Sequence, residues 1–185
     1  MRVRIVFLLK NRGSHVPFHH QFLLAQMIKG ILVKGGNKEW IDYSLYNFSG
    51  LKGQTKVSRK GLHFYSARIT LVISSPNKGF VDYLLTNLFS FDQMDLGNMV
   101  IQPEGVELEE EVKFSESMKF ICISPLVILN SSFNDSAAKR FIPPETDSFS
   151  DLLYESTIKR MEGTQLFTEA QLASFYKFQL VPDKK

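Results

Sequence analysis

"LHFYSARITLVISSPNKGFVDYLLTNLFSF", residues 62–91, joins a run of apolar, aromatic and β-branched residues to a segment whose apolar positions recur at helical spacing past Pro76 and Gly79. The first part has the composition of a strand. In the second, Phe80, Leu84, Leu85 and Leu88 form one apolar stripe, which a helix must bury against another element. A strand feeding directly into a one-faced helix implies helices layered on one side of a sheet.

The flanks extend the same pattern. In "MRVRIVFLLK", residues 1–10, Arg2 and Arg4 alternate with Val3, Ile5 and Phe7, the period of a strand with one buried face. "NRGSHVP" is a loop, and Pro17 disfavours helix before it while allowing one after it. Phe22, Leu23, Gln26, Met27, Gly30 and Ile31 then fall at i, i+4 and i+8 of a helix that ends near the glycines after Lys34. A second short helical piece is expected around "NKEWIDYSL". Residues 50–61, "GLKGQTKVSRKG", read as a loop or hairpin tip, and "MVIQPEGVELEEEVKF", residues 99–114, as a strand region broken into a hairpin at Pro103 to Gly105.

The order strand, helix, strand, strand, helix, strand is the split βαβ layout of a ferredoxin-like domain, shared with RNA-recognition modules, and it spans residues 1–115. Residues 116–185 restart the pattern with an apolar strand in "MKFICISPLVIL". A helix through "FSDLLYESTIKRM", capped by Asp147 or Ser148, follows, and then a short helix and strand in "TEAQLASFYKFQLVPDKK". The expected fold class is therefore α+β, with tandem ferredoxin-like (RNA-recognition-like) domains of which the second is incomplete.

At 44% hydrophobic and 12% aromatic residues the chain can bury a substantial core, and no apolar run approaches the roughly 18 residues of a membrane span. The single cysteine, Cys122, excludes an internal disulfide framework; it reads as a strand-core residue and fits a reducing cytoplasm. Zinc-ligand spacing, a phosphate-cradling glycine loop and a nucleophile elbow are all absent. No metal or other cofactor is expected, and Glu107, Glu109 and Glu111 read as the solvated face of a strand.

Charge is unevenly spread. Residues 1–92 hold 13 Lys and Arg against 4 Asp and Glu, whereas residues 93–185 hold 9 against 15, for a net +3 overall. A basic first half suits an anionic partner such as a phosphate backbone, or simply a solvated face.

Four stretches, "VPFHHQFLLAQMIKGIL" (16–32), "YNFSGLKG" (46–53), "KGLHFYSARITLVISS" (60–75) and "MKFICISPLVIL" (118–129), occur in an order and at a spacing that resemble the CRISPR-associated (Cas) repeat-processing endoribonucleases, the RAMP family with tandem ferredoxin-like domains. The resemblance covers nearly all of the chain. It implies binding of CRISPR repeat RNA, association with other CRISPR effector subunits, and one cut per repeat without metal. In that reaction the ribose 2′-OH attacks the neighbouring phosphate, giving a 2′,3′-cyclic phosphate and a 5′-OH. Such a step needs a base for the 2′-OH, an acid for the departing oxygen and cations beside the phosphate.

Two departures qualify what is implied. The family's C-terminal glycine-rich loop has no counterpart before the chain ends at "QLVPDKK"; the expectation is an endoribonuclease with a shortened chain, a shortening that puts at risk the cleavage that the resemblance implies. The segment after the first helix, where members with a catalytic histidine usually carry it, contains none. Lysines near the first helix take its place in some members, and Lys29, Lys38 and Lys52 are available. A repeat-RNA binding protein without activity is the alternative.

His19 and His20, at the expected helix start, suit either a general base or a pin for the adjoining loop; His20 matches a family position of structural character. Lys29 stands where an active-site side chain often projects. The catalytic candidates are thus Lys29, His19, His20 and Lys38; Tyr43 and Tyr46 suit acids or stacking platforms, but aromatic residues before a strand are more often core. Lys52, Lys56, Arg59 and Lys60, in a tip with little apolar content, are the expected RNA contacts, while His63 is either a base-stacking ring or an ordinary strand residue.

Overall fold

The computed structural model describes residues 1–110, 113, 115–121, 126, 128–129, 141–163 and 166–177. The chain divides into two compact units, Met1–Ile123 and Ser124–Lys185. Cys122 and four other residues of the expected strand in "MKFICISPLVIL" lie outside the described residues, as does Glu111. Residues 118–121 are not in a strand, with Phe120 and Ile121 exposed, and of that stretch only Ile128 and Leu129 are described as strand.

The first unit runs β1 (Arg2–Leu9), β2 (His15–Val16), α1 (Gln21–Gly35), α2 (Lys38–Asp42), β3 (Asn47–Phe48), β4 (Thr55–Ser58), β5 (Gly61–Phe64), β6 (Arg68–Ser74), α3 (Lys78–Leu88), β7 (Met94–Leu96) and β8 (Met99–Leu108). Its main sheet has the order β3-β6-β1-β8-β7, every pair antiparallel. The first strand thus lies between the third and fourth strands of a βαββαβ unit, with the short second strand outside and β7 added at the far edge. This is the expected ferredoxin-like arrangement.

β1 buries Val3, Ile5, Phe7 and Leu9, while Arg2 and Arg4 stand on the open face. Phe80, Val81, Leu84 and Leu88 of α3 are buried in the same core, and Asn77 caps that helix by accepting from the Phe80 N–H. Trp40, Tyr43 and Tyr46 surround Phe80 with ring centroids 4.7–6.1 Å away, which ties α2 to α3. Tyr43 and Tyr46 therefore act in packing. Each large side chain fully buried here, such as Phe7, Phe64 or Phe80, contributes about 1.5–3 kcal/mol before conformational entropy is counted.

Four details differ from the sequence reading. The buried face of α1 is Leu24, Ile28, Ile31 and Leu32, whereas Phe22, Gln26 and Gly30 are exposed. Ile31 is buried as expected and Leu23 and Met27 are partly buried against the same core, so the stripe is rotated away from Phe22, which lies about 200° around the helix from Leu24. The α1 C-terminus does fall where expected, with Gly36 in the left-handed region at φ +74°.

Residues 62–75 form not one strand but two. β5 ends at Phe64 and β6 begins at Arg68, because β5 joins a separate three-stranded sheet, β2-β5-β4.

The segment from Pro103 to Gly105 is a bulge inside β8, and the hairpin is instead β7 with β8 across Gly97, at φ +61°. Val6 opposes Gly105 and Phe7 opposes Pro103, leaving Glu104 as the extra residue. The bulge aims Glu104 across β1 at Arg68, where Nε and Nη2 each donate to a carboxylate oxygen at 2.6 Å. Arg2 and Arg4 likewise pair with Glu109 and Glu107 at 2.7–3.2 Å, so glutamates in and just after β8 neutralise arginines of β1 and β6.

The paired hydrogen bonds from Arg68 hold the Glu104 carboxyl below its ordinary range, against desolvation and with the guanidinium charge adding to the lowering. A carboxyl lowered on folding stabilises the fold above its unfolded pKa and loses that contribution as pH falls through the folded value. In an acid titration followed by NMR, Glu104 should therefore titrate below ordinary glutamate, and Arg68→Ala should return it to that range.

The second unit contains β9 (Ile128–Leu129) paired antiparallel with β10 (Phe141–Ile142), α4 (Asp147–Glu162) and α5 (Glu169–Phe175). The N-cap of α4 is Thr146, one residue before the expected Asp147, and its hydroxyl is turned back to donate to the Pro143 carbonyl at 2.7 Å. Thr168 and Gln171 form a capping box on α5, and the Tyr154 hydroxyl donates to the Phe175 carbonyl at 2.8 Å, fastening α5 to α4. The strand expected at the C-terminus lies outside the described residues.

Candidate nucleic-acid interface

Residues 17–20 form a turn leading into α1, closed by the His20 N–H donating to the Pro17 carbonyl. His20 is only 7% exposed. Its Nδ1 lies 3.2 Å from the Pro17 carbonyl oxygen, which can only accept, so Nδ1 carries the proton. Nε2 is buried without a hydrogen-bond partner and faces Gly50, where a Cβ would stand 3.5 Å away. The Gly50 strap is held to β6 by Ser49, whose N–H donates to the Val72 carbonyl and whose Oγ accepts from the Val72 N–H. His20 thus pins the start of α1. His19 beside it is exposed, with its carbonyl accepting from the Phe22 N–H.

Lys29 is exposed on α1, nine residues beyond His20, or roughly 14 Å along the helix axis. Lys38 is exposed at the start of α2, past the opposite end of α1. The four residues expected to share a catalytic site are therefore spread along the helix.

The basic tip is a hairpin of β4 and β5 turning at Arg59 and Lys60. Lys52, Lys56, Arg59 and Lys60 are all exposed, and none forms an ion pair with a described residue. Lys52 is bridged to Thr70 of β6 through its backbone, and the Lys56 ammonium lies 5.3 Å from the ring centroid of Tyr65.

The root of the hairpin sits beside the start of α1, because β5 pairs with β2, the strand that runs into the 17–20 turn. Gly61 has φ +129°, and a Cβ there would run into the Val16 carbonyl and approach Pro17 Cα to 2.9 Å. His63 belongs to this root as well. It donates from Nδ1 to the Gly13 carbonyl at 2.9 Å, meets Ser58 Oγ through Nε2 at 2.9 Å, and stacks on His15 at 5.0 Å between centroids. Its ring is committed to the fold.

The first acidic residue of the chain is Glu39, so the start of α1 brings no carboxylate of its own, and Asp95 is exposed on β7, whose Gly97 turn lies against Leu23 of α1. The exposed aromatics Phe18, Phe22 and Tyr65 went unnoticed in the sequence. Phe22 was hidden by the misplaced α1 stripe, and Tyr65 by the strand break that exposes it. Among the described residues no cluster of three or more His, Cys, Asp and Glu is placed to hold a metal, and no helix is long and apolar enough to cross a membrane.

No protein-family model and no curated protein matches the sequence. Solved structures do match its fold. One titled "CRISPR associated protein Cas6" superposes with a TM-score of 0.72 over 89% of this chain and 71% of that one, at 20% identity. "An RAMP protein binding different RNA substrates" gives 0.77 over 88% and 71%, at 18% identity. The chain has the Cas6 and RAMP fold. A third structure, from the characterization of a Cas6-related gene from Pyrococcus furiosus, gives a TM-score of 0.75 over 88% of this chain and 70% of that one, at 19% identity. Within this Cas6-like fold, the basic hairpin and the start of α1 come together at one end of the first unit.

Proposed function

We propose that the chain binds CRISPR repeat RNA on the surface formed by the β4–β5 hairpin and the exposed side of α1, and cleaves it by attack of the ribose 2′-OH. The observation that carries this reading is a set of four exposed cations, Lys56, Arg59 and Lys60 in the β4–β5 hairpin and Lys52 just before it, with no ion-pair partner among the described residues, the hairpin being rooted beside the start of an acid-free α1 in a Cas6 and RAMP fold. Exposed, unneutralised cations gain affinity for a phosphate backbone by releasing its counterions, and they contribute little to folding.

Lys29 is the strongest candidate for a group beside the scissile phosphate, where an ammonium stabilises the growing charge or protonates the leaving 5′ oxygen. His19, exposed and free of the Pro17 tie that holds His20, is the candidate base. Association with other effector subunits belongs to the same proposal.

A second reading, a repeat-RNA binder without activity, draws support from the distance between these groups. Along α1, His19 and Lys29 are separated by roughly 15 Å of rise, more than one reacting phosphate spans.

Incubating the chain with end-labelled repeat RNA in EDTA separates the two readings. A single cut leaving a cyclic phosphate supports the enzyme, a shifted but intact RNA supports the binder, and neither result sinks both. If the chain cleaves, Lys29→Ala should lower the single-turnover rate by about 10²-fold or more while leaving the Kd within about threefold. Equal loss of rate and affinity would make Lys29 a binding contact instead.

A further inference from the structure

Two phenylalanines stand in solvent where the polypeptide turns into α1: Phe18 is 56% exposed and Phe22 62% exposed. Single exposed apolar residues are ordinary, but these two flank the start of α1, Phe18 in the turn before it and Phe22 in its first turn, with exposed His19 between them. Further along α1, Lys29 and Val33 fall seven and eleven residues after Phe22, on the same side of the helix, and both are exposed. The opposite side, Leu24, Ile28, Ile31 and Leu32, is buried in the core, with Leu23 and Met27 packed partly against it.

The surroundings say what would cover such rings. No carboxylate occurs in residues 1–38, the first turn of α1 has no acidic residue, and the N-terminus of the helix adds its own positive potential. Flat aromatic faces on a segment without acidic residues, beside the root of the cationic hairpin, suit a polyanion that carries flat apolar groups. A nucleic-acid strand with unpaired bases is that ligand, because each base offers a π-face and each phosphate a negative charge.

We propose that Phe18 and Phe22 form a stacking platform for unpaired bases of the bound RNA. The proposal rests on the RNA-binding reading above and adds to it a contact that reads base faces instead of phosphates. Two expectations follow. The platform contributes affinity that salt does not screen, and it favours single-stranded over fully paired RNA.

The test measures affinity of the whole chain for a fluorescein-labelled, single-stranded repeat RNA by anisotropy over a series of salt concentrations. It compares the chain with Phe18→Leu/Phe22→Leu, which keeps apolar bulk and removes the rings. The expected result is affinity about 10-fold or more weaker at every salt concentration, with the slope of log K against log[salt] unchanged. Abasic substitutions walked along the RNA, with the unaltered chain, should reproduce that loss at one or two adjacent positions. This second measurement holds whether or not the double variant folds.

Tight binding by both chains together with no abasic-sensitive position would overturn the platform and leave RNA binding intact. No salt-dependent binding by the unaltered chain would overturn the RNA reading and the platform with it. A concentration-dependent oligomer that the leucine pair dissociates, with RNA affinity unchanged, would reassign the rings to contact between copies of the chain.

Discussion

Replacing Lys52, Lys56, Arg59 and Lys60 together by alanine should weaken binding of single-stranded repeat RNA by roughly 10²–10³-fold near 0.1 M salt, the largest effect expected of any surface change. If each cation neutralises one phosphate, the slope of log K against log[salt] should fall by about 0.7 per residue, or about 2.8 for the four. The fold should not follow the affinity down. All four side chains are exposed, none is ion-paired with a described residue, and the hairpin is held at its root by backbone pairing of β5 with β2 and by His63. The contrast is Arg2→Ala/Arg4→Ala. Those arginines face Glu107 and Glu109 at 2.7–3.2 Å, so their charge is already neutralised and their loss should change the salt slope little. A salt titration of the three chains measures both results.

Gly61→Ala should destabilise the hairpin root by about 2–4 kcal/mol, combining backbone strain with a steric collision. At φ +129° an L side chain is strained, and the added carbon meets the Val16 carbonyl and Pro17 Cα, which are backbone atoms and cannot rotate away. Relief requires β5 to separate from β2. Hydrogen exchange should then show lost protection of the Phe64 N–H, which donates to the Ser14 carbonyl at 3.0 Å, and of the Gly13 N–H, which donates to the Phe64 carbonyl at 2.7 Å. RNA affinity should fall with it, although no cation has been removed. Gly30→Ala is the control: a Cβ there meets nothing within 4 Å, and alanine in a helix interior is favoured over glycine by up to about 1 kcal/mol. Equal melting temperatures for the two variants would show that the root of the hairpin is not what holds the cations in place.

The parts of the fold legible in the sequence were those with a strong local signal. β1 alternates Arg2 and Arg4 with Val3, Ile5 and Phe7, and α3 repeats its apolar residues from Phe80 to Leu88, so period alone locates both. Where the partner decides, the signal fails. Nothing in residues 62–75 marks the transfer from one sheet to another at Tyr65 to Ala67, because β5 and β6 are both apolar and differ only in the strands they pair with. The bulge at Glu104 depends on a register against β1 some hundred residues earlier, and Pro103 with Gly105 reads equally well as a turn.

The candidate site divides in the same way. Four cations in a short glycine-bearing tip are visible in any sequence. That Arg2, Arg4 and Arg68 are neutralised is not, because their glutamates lie 36 to 107 positions away in the chain. The charge count of the first half therefore overstates the free positive surface. For the histidine pair the residue pattern alone is silent; the family resemblance pointed to a structural His20, and the structure supplies the reason, with His20 held by Pro17 beneath Gly50 and His19 exposed.

Ultraviolet crosslinking of the whole chain to labelled single-stranded repeat RNA, with the crosslinked peptides mapped by mass spectrometry, tests the RNA-binding surface most directly. The expected crosslinks fall in two segments, residues 17–33 and 52–65, and they disappear as salt is raised. An RNA complex whose crosslinks all fall between residues 124 and 185, or no complex at any salt concentration, would contradict the assignment of the grip to the hairpin and the start of α1.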